Sequence, residues 1–191
     1  MNDSDTINRA KKGNRFALEE IFKNNHQKIF SVAFKYLHNT EDASDIVQET
    51  FLNAFKFLYK FNGKSEFSTW LIRICLNLCW HRKKREVGSG KWEVPLDKEI
   101  ETEENEVKIQ IADDKPQPPE EIEKKQEAEK IRAAVDSLKK KYREIIVLRE
   151  LEGCSYEEIQ KILNISQGTV MSRLHRARKI LLKKLTVKQS F

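Results

Sequence analysis

The stretch from Ser155 to Lys179, SYEEIQKILNISQGTVMSRLHRARK, reads as two short helices joined by a tight turn. Ile159, Ile162 and Leu163 give the first helix an apolar face, and Val170, Leu174, Ala177 and Leu181 recur as a helical stripe on the second. Asn164-Ile165-Ser166 breaks the pattern between them. Asn accepts the left-handed conformation such a turn needs, and Ser166 has the oxygen to cap the helix that follows. At about 100° per residue, setting Val170 inward turns Met171, Ser172, His175, Arg176 and Lys179 outward. A basic face of this kind fits a DNA major groove, although a helical hairpin with a solvated charged face has the same pattern.

Charge along the 191 residues is uneven. Residues 1–85 carry 15 basic against 9 acidic side chains, residues 86–129 carry 6 against 15, and residues 130–191 carry 15 against 6. Two basic blocks flanking an acidic one imply two surfaces for a polyanion, separated by a segment that a polyanion repels. No apolar run reaches the length of a membrane span, and the N-terminus MNDSDTINRA lacks the apolar core of a signal peptide, so a cytoplasmic protein without direct membrane insertion is expected. Cys75, Cys79 and Cys154 do not make a disulfide framework. Cys75 and Cys79, one helical turn apart with His81 nearby, read either as a metal or redox pair or as small packed residues.

The first 85 residues are expected to be almost wholly helical, with breaks near Gly13-Asn14, Asn39-Thr40 and Asn62-Gly63. Phe16, Ile21, Phe22, Ile29, Phe30, Ala33, Phe34 and Leu37 supply apolar faces for a first long helical section, and Val47, Phe51, Ala54, Phe55 and Leu58 form a stripe in the next. Phe67, Trp70, Leu71, Ile74 and Leu78 repeat the pattern in a helix that runs out into His81-Arg82-Lys83-Lys84-Arg85. On it Arg73, Asn77, Trp80 and Lys84 share one flank. A guanidinium, an amide and an indole grouped there can hydrogen-bond and stack on an unpaired base while the basic end holds phosphates; packed aromatics with a solvated basic tail would look the same.

From Glu86 to about Gln126, Gly88-Ser89-Gly90, the acidic run from Glu101 to Glu106 and Pro116-Gln117-Pro118-Pro119 have linker composition, too polar to offset the entropy of ordering. From Glu127 helical patterning resumes, with Leu138, Tyr142, Ile145 and Ile146 at core spacing. The expected fold is therefore all-α: two small helical domains, residues 1–86 and 127–191, joined by a flexible acidic linker over residues 87–126. Nothing suggests catalysis. There is no phosphate-cradling glycine loop and no metal-ligand spacing, the four histidines are scattered singly, and neither cofactor nor metal is expected. Glu41-Asp42 and Glu157-Glu158 stand where helices begin and complement the helix dipole.

DASDIVQETF (residues 42–51), FNGKSEFSTWLIRICLN (residues 61–77) and YREIIVLRELEGCSYEEIQKILNISQGTVMSRLHRAR (residues 142–178) resemble conserved regions two and four of bacterial RNA polymerase sigma factors of the sigma-70 family, most closely the extracytoplasmic-function (ECF) group. The resemblance covers nearly the whole chain in the family's order. It implies a non-enzymatic protein that binds core RNA polymerase, recognises promoter DNA and promotes transcription initiation. Partners implied are the β′ clamp coiled coil and β flap of polymerase, promoter DNA and an anti-sigma factor.

Carried over residue by residue, Asp42, Asp45, Gln48 and Glu49 match the surface for core polymerase. Asn62, Gly63, Lys64, Ser65, Arg73, Asn77, Trp80, Arg82, Lys83 and Lys84 match the minus-ten contacts, the loop and Asn77 forming a pocket for a flipped base, whose Watson–Crick edge is hidden until the strands separate. Ser166, Gln167, Thr169, Met171, Ser172, Arg173, His175, Arg176 and Lys179 match the minus-thirty-five contacts. Relatives often have a small residue at the position of Gln160, a glycine at Asn164 and Lys or Arg at Met171. The rival readings are a two-domain helix-turn-helix regulator that never joins polymerase and a small RNA-binding or nucleic-acid-processing protein.

Overall fold

A computed structural model describes residues 3–86 and 119–186, and every regular element among them is helical. The N-terminal module contains α1 (Asp3–Lys11), α2 (Arg15–Leu37), α3 (Thr40–Lys56) and α4 (Phe67–Glu86), with a 3₁₀ turn, Leu58–Lys60, before the loop that leads into α4. The expected breaks are where helices cap. Asn14 and Asn39 each accept a hydrogen bond from a backbone N–H at the third position of the helix that follows, Ala17 and Asp42. Gly13 (φ +82°) and Gly63 (φ +73°) take the left-handed backbone their turns need.

Helices α2, α3 and α4 pack on one another, with α1 laid against α2. The buried face of α2 is Ala17, Ile21, Ile29, Val32, Ala33, Tyr36 and Leu37. Phe16, Phe22 and Phe34, expected inside, are exposed, Phe16 by 80%. Small Ala17 and Ala33 occupy the buried face, and the large rings sit on its flank. There Phe22 packs on Phe51 at 4.7 Å between centroids, and His26, Phe30 and Phe34 stack in sequence at 6.4 and 6.2 Å. In α4 the buried set is wider than a single stripe: Phe67, Leu71, Ile72, Cys75, Leu76, Leu78 and Cys79. One side of α4 packs on α2 and α3 and another on the C-terminal module, so it has little free surface. Cys75 and Cys79, with sulfurs 4.0 Å apart, belong to this core, and no group of His, Cys, Asp or Glu among the described residues is placed to hold a metal.

The C-terminal module contains α5 (Pro119–Asp136), α6 (Lys140–Ile146), a π turn (Val147–Leu151), α7 (Tyr156–Leu163) and α8 (Gln167–Thr186). Helix α5 begins at Pro119, ahead of the boundary read at Glu127, with proline at the position where its missing N–H costs nothing. The expected linker otherwise falls on residues 87–118, outside the described residues. Helix α7 opens with a complete capping box. Ser155 Oγ accepts the Glu158 N–H and the Glu158 carboxylate accepts the Ser155 N–H at 2.7 Å, which holds the Glu158 carboxyl below its usual range. The helix closes on Asn164, left-handed at φ 53°, and Ser166 Oγ accepts the Thr169 N–H at the start of α8. Ile159, Ile162, Val170, Leu174 and Ala177 fill the space between the two helices.

The two modules are docked. Helix α7 packs against α4 and the π turn against α2, and the buried side chains form one cluster from Ile7 to Ala177. The π turn aims its C-terminal end at α2. Ser31 donates to Glu152 at 2.9 Å, and Lys35 Nζ reaches both the Leu151 carbonyl (2.6 Å) and the Glu152 carboxylate (3.1 Å). Between the modules lies Arg143, 3% exposed, its guanidinium 5.3 Å from the Tyr36 ring centroid and 3.4 Å from Asp136.

Candidate nucleic-acid interface

The loop after the 3₁₀ turn is built on aromatic rings. Phe61, Phe67 and Trp70 pack mutually at 5.1–5.4 Å, and Lys11 Nζ donates to the Phe61 carbonyl at 2.6 Å, fixing the loop's first residue to α1. Asn62 Oδ1 accepts the Lys64 N–H across Gly63, so Asn62, Gly63, Lys64 and Glu66 are presented to solvent on a short rigid turn with Ser65 half-buried. Along α4, Arg73 is exposed while Asn77 and Trp80 are half-buried, in keeping with the shared flank read from the sequence.

The Asn77 amide has a partner from the other module: its Oδ1 accepts a hydrogen bond from Lys140 Nζ at 2.8 Å. The same ammonium lies 3.8 Å from Glu144, which is 8% exposed. Burial raises the Glu144 carboxyl above its usual range against the pull of Lys140, Arg173 and Arg73. Arg173 is accordingly half-buried and faces this carboxylate, where the sequence placed it among minus-thirty-five contacts. Lys83 reaches Asp136 of α5 at 3.4 Å, so it too touches the C-terminal module.

On α3, exposed Asp45 and Gln48 and half-buried Glu49 share a face with Leu52, which is 63% exposed. The sequence reading missed Leu52. Its signal is the spacing, an apolar residue three positions after Glu49 and seven after Asp45, off the buried stripe. Arg82, expected among the minus-ten contacts, bridges two carboxylates of α3 in this structure, 2.7 Å from Asp42 and 3.2 Å from Asp45. It therefore joins the end of α4 to α3. Lys84 is half-buried near the same end.

Helix α8 meets the projection from sequence closely. Gln167, Met171, Ser172, His175, Arg176 and Lys179 are exposed, and Ser166 and Thr169 hold the first turn through a 2.9 Å hydroxyl contact. Met171, 54% exposed, is an apolar spot on an otherwise polar and basic face. Arg178 is turned away to Glu150, which it grips with two nitrogens at 2.6 and 3.1 Å. Gly168 leaves the first turn of α8 open on the outside, with no atom near where a Cβ would stand. Toward its end, Leu182 projects an apolar side chain into solvent. No described helix is long and apolar enough to cross a membrane.

Residues 21–87 match the Sigma-70 region 2 family, and residues 128–181 match Sigma-70, region 4. The chain is 35% identical over 180 residues to the ECF RNA polymerase sigma factor SigW of Bacillus subtilis, covering 94% of each protein. It is 34% identical to the ECF RNA polymerase sigma-E factor of Escherichia coli K12, over 93% of this chain and 91% of that one. Among solved structures, CnrH in complex with the cytosolic domain of CnrY superposes with a TM-score of 0.63 at 23% identity, covering 97% of both chains, a likeness of fold. Two family regions in the expected order, on the modules that hold the loop and the helix-turn-helix, place this chain in the sigma-70 family, within the ECF group of RNA polymerase sigma factors.

Proposed function

We propose that this protein joins core RNA polymerase and directs it to promoters, with each module reading one promoter element. The observation that carries this is the pairing of two dissimilar nucleic-acid surfaces on one chain. A rigid polar loop leading into a helix that carries an amide and an indole on one flank suits an unpaired base, and an exposed basic helix after a capped turn suits duplex DNA. The minus-ten element is read by Asn62, Gly63, Lys64, Ser65, Arg73, Asn77 and Trp80, with Lys83 and Lys84 near phosphates. The minus-thirty-five element is read by Ser166, Gln167, Thr169, Met171, Ser172, His175, Arg176 and Lys179. Arg82 and Arg173 act behind these contacts through the carboxylates they face.

The exposed face of α3 docks the clamp coiled coil of β′, with Asp45, Gln48 and Glu49 as the polar rim and Leu52 as the apolar anchor. The β flap meets the end of α8 around Leu182, and an anti-sigma factor holds the chain away from polymerase. The protein works in the cytoplasm. A regulator that never joins polymerase would need the α8 face and nothing of the loop, so the loop's construction favours the first reading. Adding the purified chain to core polymerase on a genomic promoter library tests it. Specific initiation at a defined set of promoters is expected; duplex binding without initiation would establish the regulator instead.

A further inference from the structure

Phe61, the residue from which the turn at Asn62 springs, is held at its ring, its N–H and its carbonyl. The buried ring packs on Phe67 and Trp70 at 5.1 and 5.4 Å, the N–H donates to the Leu58 carbonyl at 3.1 Å, and the carbonyl accepts Lys11 Nζ at 2.6 Å. The same ammonium stands 5.8 Å from the centre of the Phe61 ring. Ring and N–H are secured by close neighbours in the chain. The carbonyl is secured from 50 residues away.

Lys11 is the last residue of α1, and that helix is fastened before the lysine reaches out. Thr6, Ile7 and Ala10 are buried, Arg9 pairs with Glu20 of α2 at 3.3 Å, and Thr6 donates to the same carboxylate at 3.3 Å. The hydrogen bond to Phe61 is therefore anchored at both ends. Residues 3–11 precede the stretch that matches Sigma-70 region 2, which begins at residue 21. A carbonyl oxygen and the next residue's N–H belong to one rigid peptide plane, so fixing the Phe61 carbonyl fixes the plane on which Asn62 begins. Asn62 in turn accepts the Lys64 N–H across Gly63, which is left-handed at φ +73° with open space where a Cβ would stand. The turn owes its shape to its backbone and its place to its root.

We propose that Lys11 is a positioning residue for the minus-ten pocket: α1 braces the loop through the Phe61 carbonyl and sets where Asn62 and Lys64 stand when a base enters. This rests on the reading of the loop as the minus-ten contact. Lys11 acts through Phe61 and touches no base itself, so its loss shows in which base is preferred and not in whether the domain folds.

The test uses holoenzyme reconstituted from core polymerase and the full chain, with a pool of promoter templates randomised across the minus-ten element and held open there by mismatches. Lys11→Met keeps the stem and removes the donor, Lys11→Arg restores a donor, and Lys12→Met removes one positive charge from the neighbouring exposed position. Lys11→Met is expected to bind its preferred templates roughly 5- to 10-fold more weakly, the scale of one partly exposed hydrogen bond, and to relax base preference at one position. Its core-polymerase affinity and melting temperature should stay close to the parent's. Lys11→Arg should regain most of the preference, and Lys12→Met should keep it. Equal losses in Lys11→Met and Lys12→Met with preference intact would reduce Lys11 to a general charge near DNA and overturn the proposal; so would a fall in melting temperature with preference intact. Asn62→Ala separates the brace from the reading beneath it. If Asn62→Ala relaxes preference and Lys11→Met does not, the loop reads the base and the brace is refuted. If Lys11→Met alone relaxes it, Lys11 acts by another route and the proposal is wrong. If neither profile departs from the parent's, the loop is not the reader, and the proposal falls with that reading.

Discussion

Asp45→Arg separates the proposed polymerase surface from the fold more cleanly than any other single change on α3, because Asp45 and Asp42 share one partner unequally. Arg82 lies 2.7 Å from Asp42, with both side chains about three-quarters covered, and 3.2 Å from Asp45, which is 61% exposed. An exposed ion pair contributes roughly 0.2–1 kcal/mol. Reversing Asp45 removes that and sets a second guanidinium beside Arg82, but both side chains are long and one is free to swing into water. A total loss of about 1–2 kcal/mol is expected, small against the roughly 5–15 kcal/mol of a typical domain.

Across an interface the same reversal sets like charge against a surface that must be complementary to Asp45, which costs several kcal/mol; about 3 kcal/mol is a factor of about 150 in affinity. The expectation is near-native helicity by circular dichroism, a melting point lowered by a few degrees, and at least 100-fold weaker competition for core polymerase. Asp42→Asn should show the opposite division, with the larger loss in melting temperature and the smaller in polymerase affinity. Full polymerase affinity in Asp45→Arg, together with a large loss of stability, would refute the assignment of this face.

Other perturbations have equally definite outcomes. Arg176 is exposed, so Arg176→Ala should leave melting unchanged; selection from promoter variants should show a loss of about 1–3 kcal/mol at one base step if Arg176 reads a guanine, or a uniform loss with a smaller salt slope if it holds phosphate. Ile159 is fully buried between α7 and α8, and Ile159→Ala should cost about 2–5 kcal/mol by denaturant titration, and with it minus-thirty-five binding. His38 closes α2 in the left-handed region at φ 60°, facing Asp136, Lys83, Arg132 and Arg143, and burial lowers its pKa. The unfolded chain then binds more protons than the folded one below about pH 6.5, so stability falls as pH drops through that range. His38→Asn, which keeps the left-handed cap, should flatten this loss between pH 7 and 5 in thermal melts; His81, lowered in the same direction, leaves a residual slope. An unchanged profile would assign the acid sensitivity to other groups.

The orientation of α8 was legible because each facing follows from local period and a single reference residue: Val170 is inward, and Met171, His175 and Arg176 are outward. The turn was legible because Asn164 and Ser166 have few other reasons to stand together. Helix α2 misled where it did because phenylalanine reports apolarity without reporting position. A ring beside the buried face packs on other rings, as Phe30 and Phe34 do, while alanine takes the close approach. The docking of the modules had no local signal at all. Lys140 and Asn77 are 63 residues apart, and neither residue type announces the other. The carboxylates near Arg82 and Arg173 had no local signal either: Asp42 and Asp45 pair with Arg82 from another helix, and Glu144 lies in the field of Arg173.

The shared core that runs from Ile7 to Ala177 also governs how the chain is destroyed. While the modules are docked, calorimetry should register one cooperative unit, and a cut anywhere between Glu86 and Pro119 would leave two pieces still holding each other by buried side chains. Once they part, each module must survive on a smaller core, and α4 loses the cover that α7 gives it. A protease that samples transient openings would then meet the separated form far more often. The lifetime of the protein in a cell would thereby come to depend on how quickly the opened chain is captured, so that a molecule without a polymerase to join is also the one most readily removed.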